Sequence, residues 1–175
     1  MNVINNTMKI GTEADMDRIN RILFNNVYKE HINAISDAEV NRVYCHHDMT
    51  HFLDVARIAL IICREEDIDV DRDMIYAAAL LHDIGRDVQY RDNTPHEEAS
   101  AEISAGILEC AGFDENEITT ITCAIREHGN ADIKDRCDLM GVLYRADKLS
   151  RKCFACRATD TCHKAIEKRN MYIKY

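Results

Sequence analysis

The chain has 175 residues, a net charge of −9, and 46% hydrophobic but only 6% aromatic residues. That length fits one domain with a full hydrophobic core, and one Pro and six Gly are too few for a linker-rich, collagen-like or disordered chain. They also leave little punctuation for an all-β fold with many tight turns. Eight Cys and eight His are the less usual counts, and they point to metal or thiol chemistry without deciding between them.

Met1 to Ile10 has one Lys and no apolar run, so it does not read as a secretory signal. Apolar stretches such as Ile58 to Cys63 are far short of the ~20 residues a membrane span needs. The expectation is a soluble cytoplasmic protein whose thiols stay free or bind metal. Charge is unevenly spread, with −15 on residues 1–144 and +6 on residues 145–175. The acidic body argues against an extended nucleic-acid surface. The basic tail is either a solvated terminal face or a contact for a phosphate-bearing ligand or RNA.

Apolar spacing is helical nearly throughout. Thr12 with Asp15 can cap a first helix with Met16, Ile19, Leu23 and Val27 on one stripe. A second helix starts near Asp48–Thr50, with Leu53, Ala56, Leu60 and Cys63 in one line and Phe52, Val55 and Ala59 beside it. Asp71 or Asp73 can cap a third, Met74 to Leu81, which is apolar nearly all round and ends at Gly85. Gly85 to Thr94 is polar and reads as a loop. Thr94-Pro95-His96-Glu97 predicts a helix start with Thr as N-cap, and that helix carries Ala99, Ile103, Ile107 and Cys110 to a stop at Gly112. Asp114 with Glu117 opens another, with Ile118, Ile121 and Ile125 inward, ending at His128-Gly129. A polar loop to Asp138 precedes a last helix with Leu139, Val142, Leu143, Ala146 and Leu149. The sum is an all-α bundle of about six or seven helices. Residues 1–43 form a segment packed on the domain, 44–150 its core and 151–175 a basic, Cys-rich tail.

Six His fall at predicted helix ends or their flanking turns: 46, 47, 51, 82, 96 and 128. Loops over a rigid bundle are where sites form. His82-Asp83 closes a helix of Ala77 to Leu81, where a polar pair is costly to bury unless paired or ligated. A second His-Asp pair, His47-Asp48, shows that the dipeptide alone identifies nothing. The informative set is His51, then His82-Asp83, then Asp147, a mixed nitrogen and oxygen group suited to a divalent ion.

His51, Leu80-Leu81-His82-Asp83-Ile84-Gly85-Arg86 and Ala146-Asp147-Lys148-Leu149 resemble the His…His-Asp…Asp signature of the HD superfamily of metal-dependent phosphohydrolases. The resemblance runs from about Tyr44 to Ser150. It implies an all-α HD-like fold and metal ligation by His51, His82, Asp83 and Asp147. By similarity to two-metal members, His96 and His128 hold a second ion and Asp83 bridges both. One or two divalent ions are implied, with Fe, Mn, Zn, Mg, Co and Ni all open. Asp83 also counts as catalytic, through the water the ions share. The implied reaction is hydrolysis of a nucleotide or another small phosphate mono- or diester.

Arg86 stands where related sequences often have Lys, and either holds a phosphate or is a solvated loop residue. Lys148 next to Asp147 diverges from it by about 100° on a helix, towards a structural place or the pocket rim. Arg86 and Lys148 are the candidate substrate contacts. His47 precedes His51 by four residues, as in the similar cyclic-nucleotide phosphodiesterases, where that His protonates the leaving oxygen. Those enzymes have Asn where this chain has Asp48; His46 is the neighbouring candidate.

Cys153, Cys156 and Cys162-His163 have spacing that can bind zinc or an iron–sulfur cluster, with free thiols as the simpler reading. Cys45, Cys63, Cys110 and Cys123 fit helix faces as small core residues, and Cys137 a loop. Two readings stand beside hydrolysis: a di-iron oxygenase on the same ligands, and a non-catalytic metal- or nucleotide-binding regulatory domain. No membrane partner is expected.

Overall fold

The computed structural model describes residues 17–175, and the Thr12/Asp15 cap and Met16 lie outside them. Among the described residues the chain is all-α with no strand. The helices are α1 Asp17–Phe24, α2 Asn26–Ala38, α3 Met49–Glu65, α4 Arg72–Leu81, α5 Arg86–Asp92, α6 His96–Ala111, α7 Glu115–Glu127 and α8 Leu139–Leu149. Eight are present because two stretches divide differently from the sequence expectation.

The first stripe breaks at Asn25. Its side chain accepts from Val27 N and Tyr28 N and starts a new helix, so Val27 sits exposed on α2 instead of extending α1. The supposed loop after Gly85 contains α5, a short polar helix with Asp87 buried against His31 at 2.8 Å. Its polar composition hid it, because only one face of this helix is covered.

Caps fix the other starts. Asp48 caps α3 through His51 N, Asp71 caps α4, and Asp138 caps α8 through Gly141 N. Asp114 and Glu117 form the expected reciprocal box on α7. Thr94 does not cap α6. That helix begins after Pro95, with no side-chain cap, and ends at Gly112 in the left-handed region, φ 91°.

The core joins α3, α4, α6, α7 and α8 around Phe52, Leu80, Leu81, Ile121, Ile125 and Leu143. Helix α4 is buried at Ile75 and from Ala77 to Leu81, as its apolar run predicts. Helix α1 packs on α6 and α4, and α2 on α5. Of the Cys assigned to helix faces, Cys63 is buried, Cys123 is half-buried, and Cys45 and Cys110 are exposed. Among the described residues no helix is long and apolar enough to cross a membrane.

Gly85 does not end α4. The helix stops at Leu81, and Gly85 has an ordinary φ of −84°. Its role is close approach: a Cβ there would meet Ser100 N at 2.5 Å and Ala99 Cβ at 2.7 Å. Gly85 N donates to Ser100 Oγ at 2.9 Å, clasping the turn after His82-Asp83 to α6.

Candidate metal centre

The bundle brings six separated positions to one place. His51 lies in the first turn of α3, and His82 and Asp83 in the turn that leaves α4. His96 opens α6, His128 follows α7, and Asp147 sits in the last turn of α8. Asp83, at the centre, is buried. Its Oδ2 lies 3.1 Å from His82 Nε2 and 3.7 Å from His51 Nε2. Its Oδ1 lies 3.2 Å from His96 Nε2 and 3.7 Å from His128 Nε2. Asp147 Oδ1 is 3.6 Å from His51 Nε2.

The outer ring nitrogens are held in place. His82 Nδ1 bonds Ala79 O at 2.8 Å and His128 Nδ1 bonds Ile125 O at 2.6 Å. A carbonyl can only accept, so Nδ1 carries a proton in both rings and Nε2 is the atom turned inward. His51 Nδ1 meets Ser150 Oγ at 3.2 Å, and that hydroxyl donates to Asp147 O at 2.8 Å. His96 Nδ1 lies 2.9 Å from Glu97 Oε2.

Two Nε2 pairs, His51 with His82 and His96 with His128, each stand 3.3 Å apart. Facing lone pairs at that distance repel unless a proton or cation lies between them. The donor set therefore fits a cation. Two groups can hold a metal ion: His51, His82 and Asp83, and Asp83, His96 and His128. Cys153, Cys156, Cys162 and His163 form no comparable group among the described residues.

Charge compensates charge around these carboxylates. Arg86 Nε donates to Asp83 Oδ1 at 2.8 Å. Burial works against the Asp83 carboxylate, but His82 and Arg86 hold its pKa well below the usual range. Asp147 is likewise pulled down against burial, by Lys148, His82 and Arg151. Lys148 does not diverge from its neighbour as helix geometry suggests. Its long stem folds back so that Nζ donates to Asp147 Oδ2 at 2.5 Å and His128 O at 3.3 Å.

His47 lies beside the group, with Nε2 3.8 Å from Asp83 Oδ2. Glu39, at the end of α2, takes His47 Nδ1 at 2.5 Å, His47 N at 2.9 Å and the Tyr90 hydroxyl at 2.5 Å. Burial would raise the Glu39 carboxyl, yet the hydrogen bonds from His47 and Tyr90 hold it at about 2. Burial lowers the His47 pKa despite Glu39. Burial and Glu39 push the Tyr90 phenol up to about 12. His46 stays at the surface, 3.7 Å from Glu39. Glu39, Tyr90, Glu97 and Ser150 escaped the sequence reading. Glu39, Tyr90 and Ser150 reach the site through tertiary contact, and Glu97 from the position next to His96; none has a spacing that marks it beforehand.

A cleft of about 1260 Å³ opens over the group. His47, His51, Asp83, Arg86, His96, His128, Asp147 and Lys148 line it, and the C-terminal segment supplies the facing wall.

The HD domain family model matches residues 48–152. An uncharacterized protein of Clostridium beijerinckii is 42% identical over 160 residues, covering 91% of this chain and all of that protein. A crystal structure of a predicted HD superfamily hydrolase from an uncultured Thermotogales bacterium is similar with a TM-score of 0.64 and 26% identity, covering 91% of this chain and 85% of that one. The chain belongs to the HD domain family.

Proposed function

We propose that the protein is a metal-dependent phosphohydrolase acting on a nucleotide or other small phosphate mono- or diester. The observation that carries this reading is the division of Asp83, one oxygen towards His51 and His82 and the other towards His96 and His128. His51, His82, Asp83 and Asp147 would hold one divalent ion, and Asp83, His96 and His128 a second. Ions so held supply positive charge for phosphate oxygens and make water acidic enough to attack phosphorus near neutral pH.

The chain's own groups do the rest. Arg86 and Lys148, on the cleft wall, orient the phosphate and offset its charge. Glu39 holds His47 by Nδ1, so Nε2 faces the cleft floor and, once the ring is protonated there, can hand that proton to the leaving oxygen. Internal ion pairs on Asp83 and Asp147 keep both carboxylates ionised and ready to ligate.

The test is a phosphatase and phosphodiesterase screen across divalent metals with elemental analysis. Metal-dependent turnover that Asp83→Ala and Asp83→Asn both abolish is the expected result. Oxygen consumption by an iron pair without phosphoester turnover would overturn it, as would tight nucleotide binding with no turnover under any metal. His47→Gln should lower kcat by about 10²-fold on alkyl phosphoesters and far less on p-nitrophenyl esters, which need no proton at the leaving oxygen.

A further inference from the structure

The HD match ends at residue 152, yet the segment beyond it forms one wall of the cleft. It contains no α-helix, and defined hydrogen bonds shape it. The Arg169 guanidinium donates to the carbonyls of Thr159, Cys162 and Lys164. Asn170 Nδ2 donates to Leu149 O and Arg151 O, tying the segment to the end of α8. Tyr44 donates its hydroxyl to Thr161 O from across the cleft.

This path brings Lys164 into the cleft with Lys148 and Arg151. Lys148 and Arg151 share one carboxylate oxygen, Asp147 Oδ2, at 2.5 and 3.4 Å. Among the described residues no carboxylate pairs with Lys164. Burial, and the like charges of Arg151 and Lys148, press its ammonium below the ordinary value. Lys148 and Arg151 thus share one carboxylate, itself a proposed metal ligand, and Lys164 lines the same cleft with no carboxylate paired to it. Like charges held together at a half-buried site are unfavourable until an anion joins them.

We propose that Arg151 and Lys164, together with Lys148 shared with the phosphate held at Asp83, form a second anion subsite, and that the substrate is a small molecule bearing a second phosphate group. This deepens, and rests on, the phosphohydrolase reading. A dianion suits the site better than a single carboxylate. Arg151 offers a planar fork for two oxygens, and the two Lys add point charges. The surroundings favour a small molecule over RNA: the cleft is about 1260 Å³, and residues 1–144 carry −15.

The test is calorimetric titration of the full chain saturated with a divalent ion, at low temperature and with product assayed in the cell, so that binding is read apart from turnover. Pyrophosphate, adenosine 3′,5′-bisphosphate and fructose 1,6-bisphosphate are each compared with inorganic phosphate, adenosine 5′-monophosphate and fructose 6-phosphate. At least one bisphosphate should bind about tenfold more tightly than its partner, a ratio that one lost charge-assisted contact can erase. Lys164→Met should erase it and Lys164→Arg restore it. Lys29→Met, removing the same charge from α2 outside the cleft, should leave it unchanged. No preference in any pair, or a preference that survives Lys164→Met, overturns the subsite. Preference without hydrolysis under any divalent ion upholds the subsite and removes the phosphohydrolase reading. Hydrolysis without preference does the reverse.

Discussion

Single atoms decide what the centre can hold. Ser150 is the least obvious of its supports: Oγ accepts from His51 Nδ1 and donates to Asp147 O, linking a nitrogen ligand to the backbone of an oxygen ligand. Such outer partners fix ring orientation, and their loss weakens metal binding by about 10–100-fold. Ser150→Ala should therefore lower divalent-metal affinity about tenfold by competitive chelation, with the fold intact by circular dichroism. Glu39 gives a pH signature. Its carboxyl sits at about 2 in the folded chain against 4.5 ordinarily, so the unfolded chain takes up its proton first. Its contribution is complete above 4.5 and is lost as pH falls towards about 2. Across that window the parent should lose on the order of 2 kcal/mol more stability than Glu39→Gln, measured by denaturation at each pH.

At the scale of elements, the turn between α4 and α5 carries the most consequence. It holds His82 and Asp83, and it lies against α6 because Gly85 has no side chain. Gly85→Ala would press a methyl into the α6 backbone at Ser100, which cannot give way as a flexible side chain can. The expected cost is about 1–3 kcal/mol in urea denaturation, with metal affinity falling as His96 on α6 moves away from Asp83. Helix α7 delivers His128 by a different device. Its capping box at Asp114 and Glu117 fixes where the helix begins, and Arg18 reaches in from α1 to bond both Glu117 oxygens at 2.8 Å. Asp114→Ala should destabilise the fold by about 1 kcal/mol while leaving metal affinity unchanged, because the His128 end is anchored separately through Ile125 O.

For the whole molecule, the centre is where four helix ends and one tight turn meet. It gathers two buried carboxylates, Asp83 and Asp147, which oppose each other, and two pairs of imidazole Nε2 atoms that face each other at 3.3 Å. Metal binding should therefore stabilise the entire bundle. At a free ion concentration about 100 times Kd the gain is about 2.7 kcal/mol, or roughly 5–10 °C in Tm for a chain of this size. Thermal scans with and without chelator should show it, and Asp83→Asn should remove most of it. The acidic body and basic tail, which look opposed as composition, converge in space. The tail folds over the cleft at the end of α8 and sets Lys164 and its basic neighbours in the same cleft as Asp83 and Asp147.

The sequence alone determined the helical class, the helix start at Asp114 with Glu117 and the apolar run of α4, and its resemblance to a family named the six residues proposed for the centre. These are local in origin: periodicity, capping chemistry and motif order are written within a few residues of each position. Tertiary structure decided the rest. Asn25 breaks the first stripe, and α5 forms from a polar stretch because neighbouring helices cover one face of it. Gly85 serves close approach to α6 instead of a helix stop, since contact between elements has no local signature. Glu39, Ser150 and Lys164 reach the cleft from positions 8, 99 and 13 residues away from His47, His51 and Arg151. No spacing rule encodes those meetings; they exist only because the helices pack in one arrangement and the tail is hydrogen-bonded across its mouth.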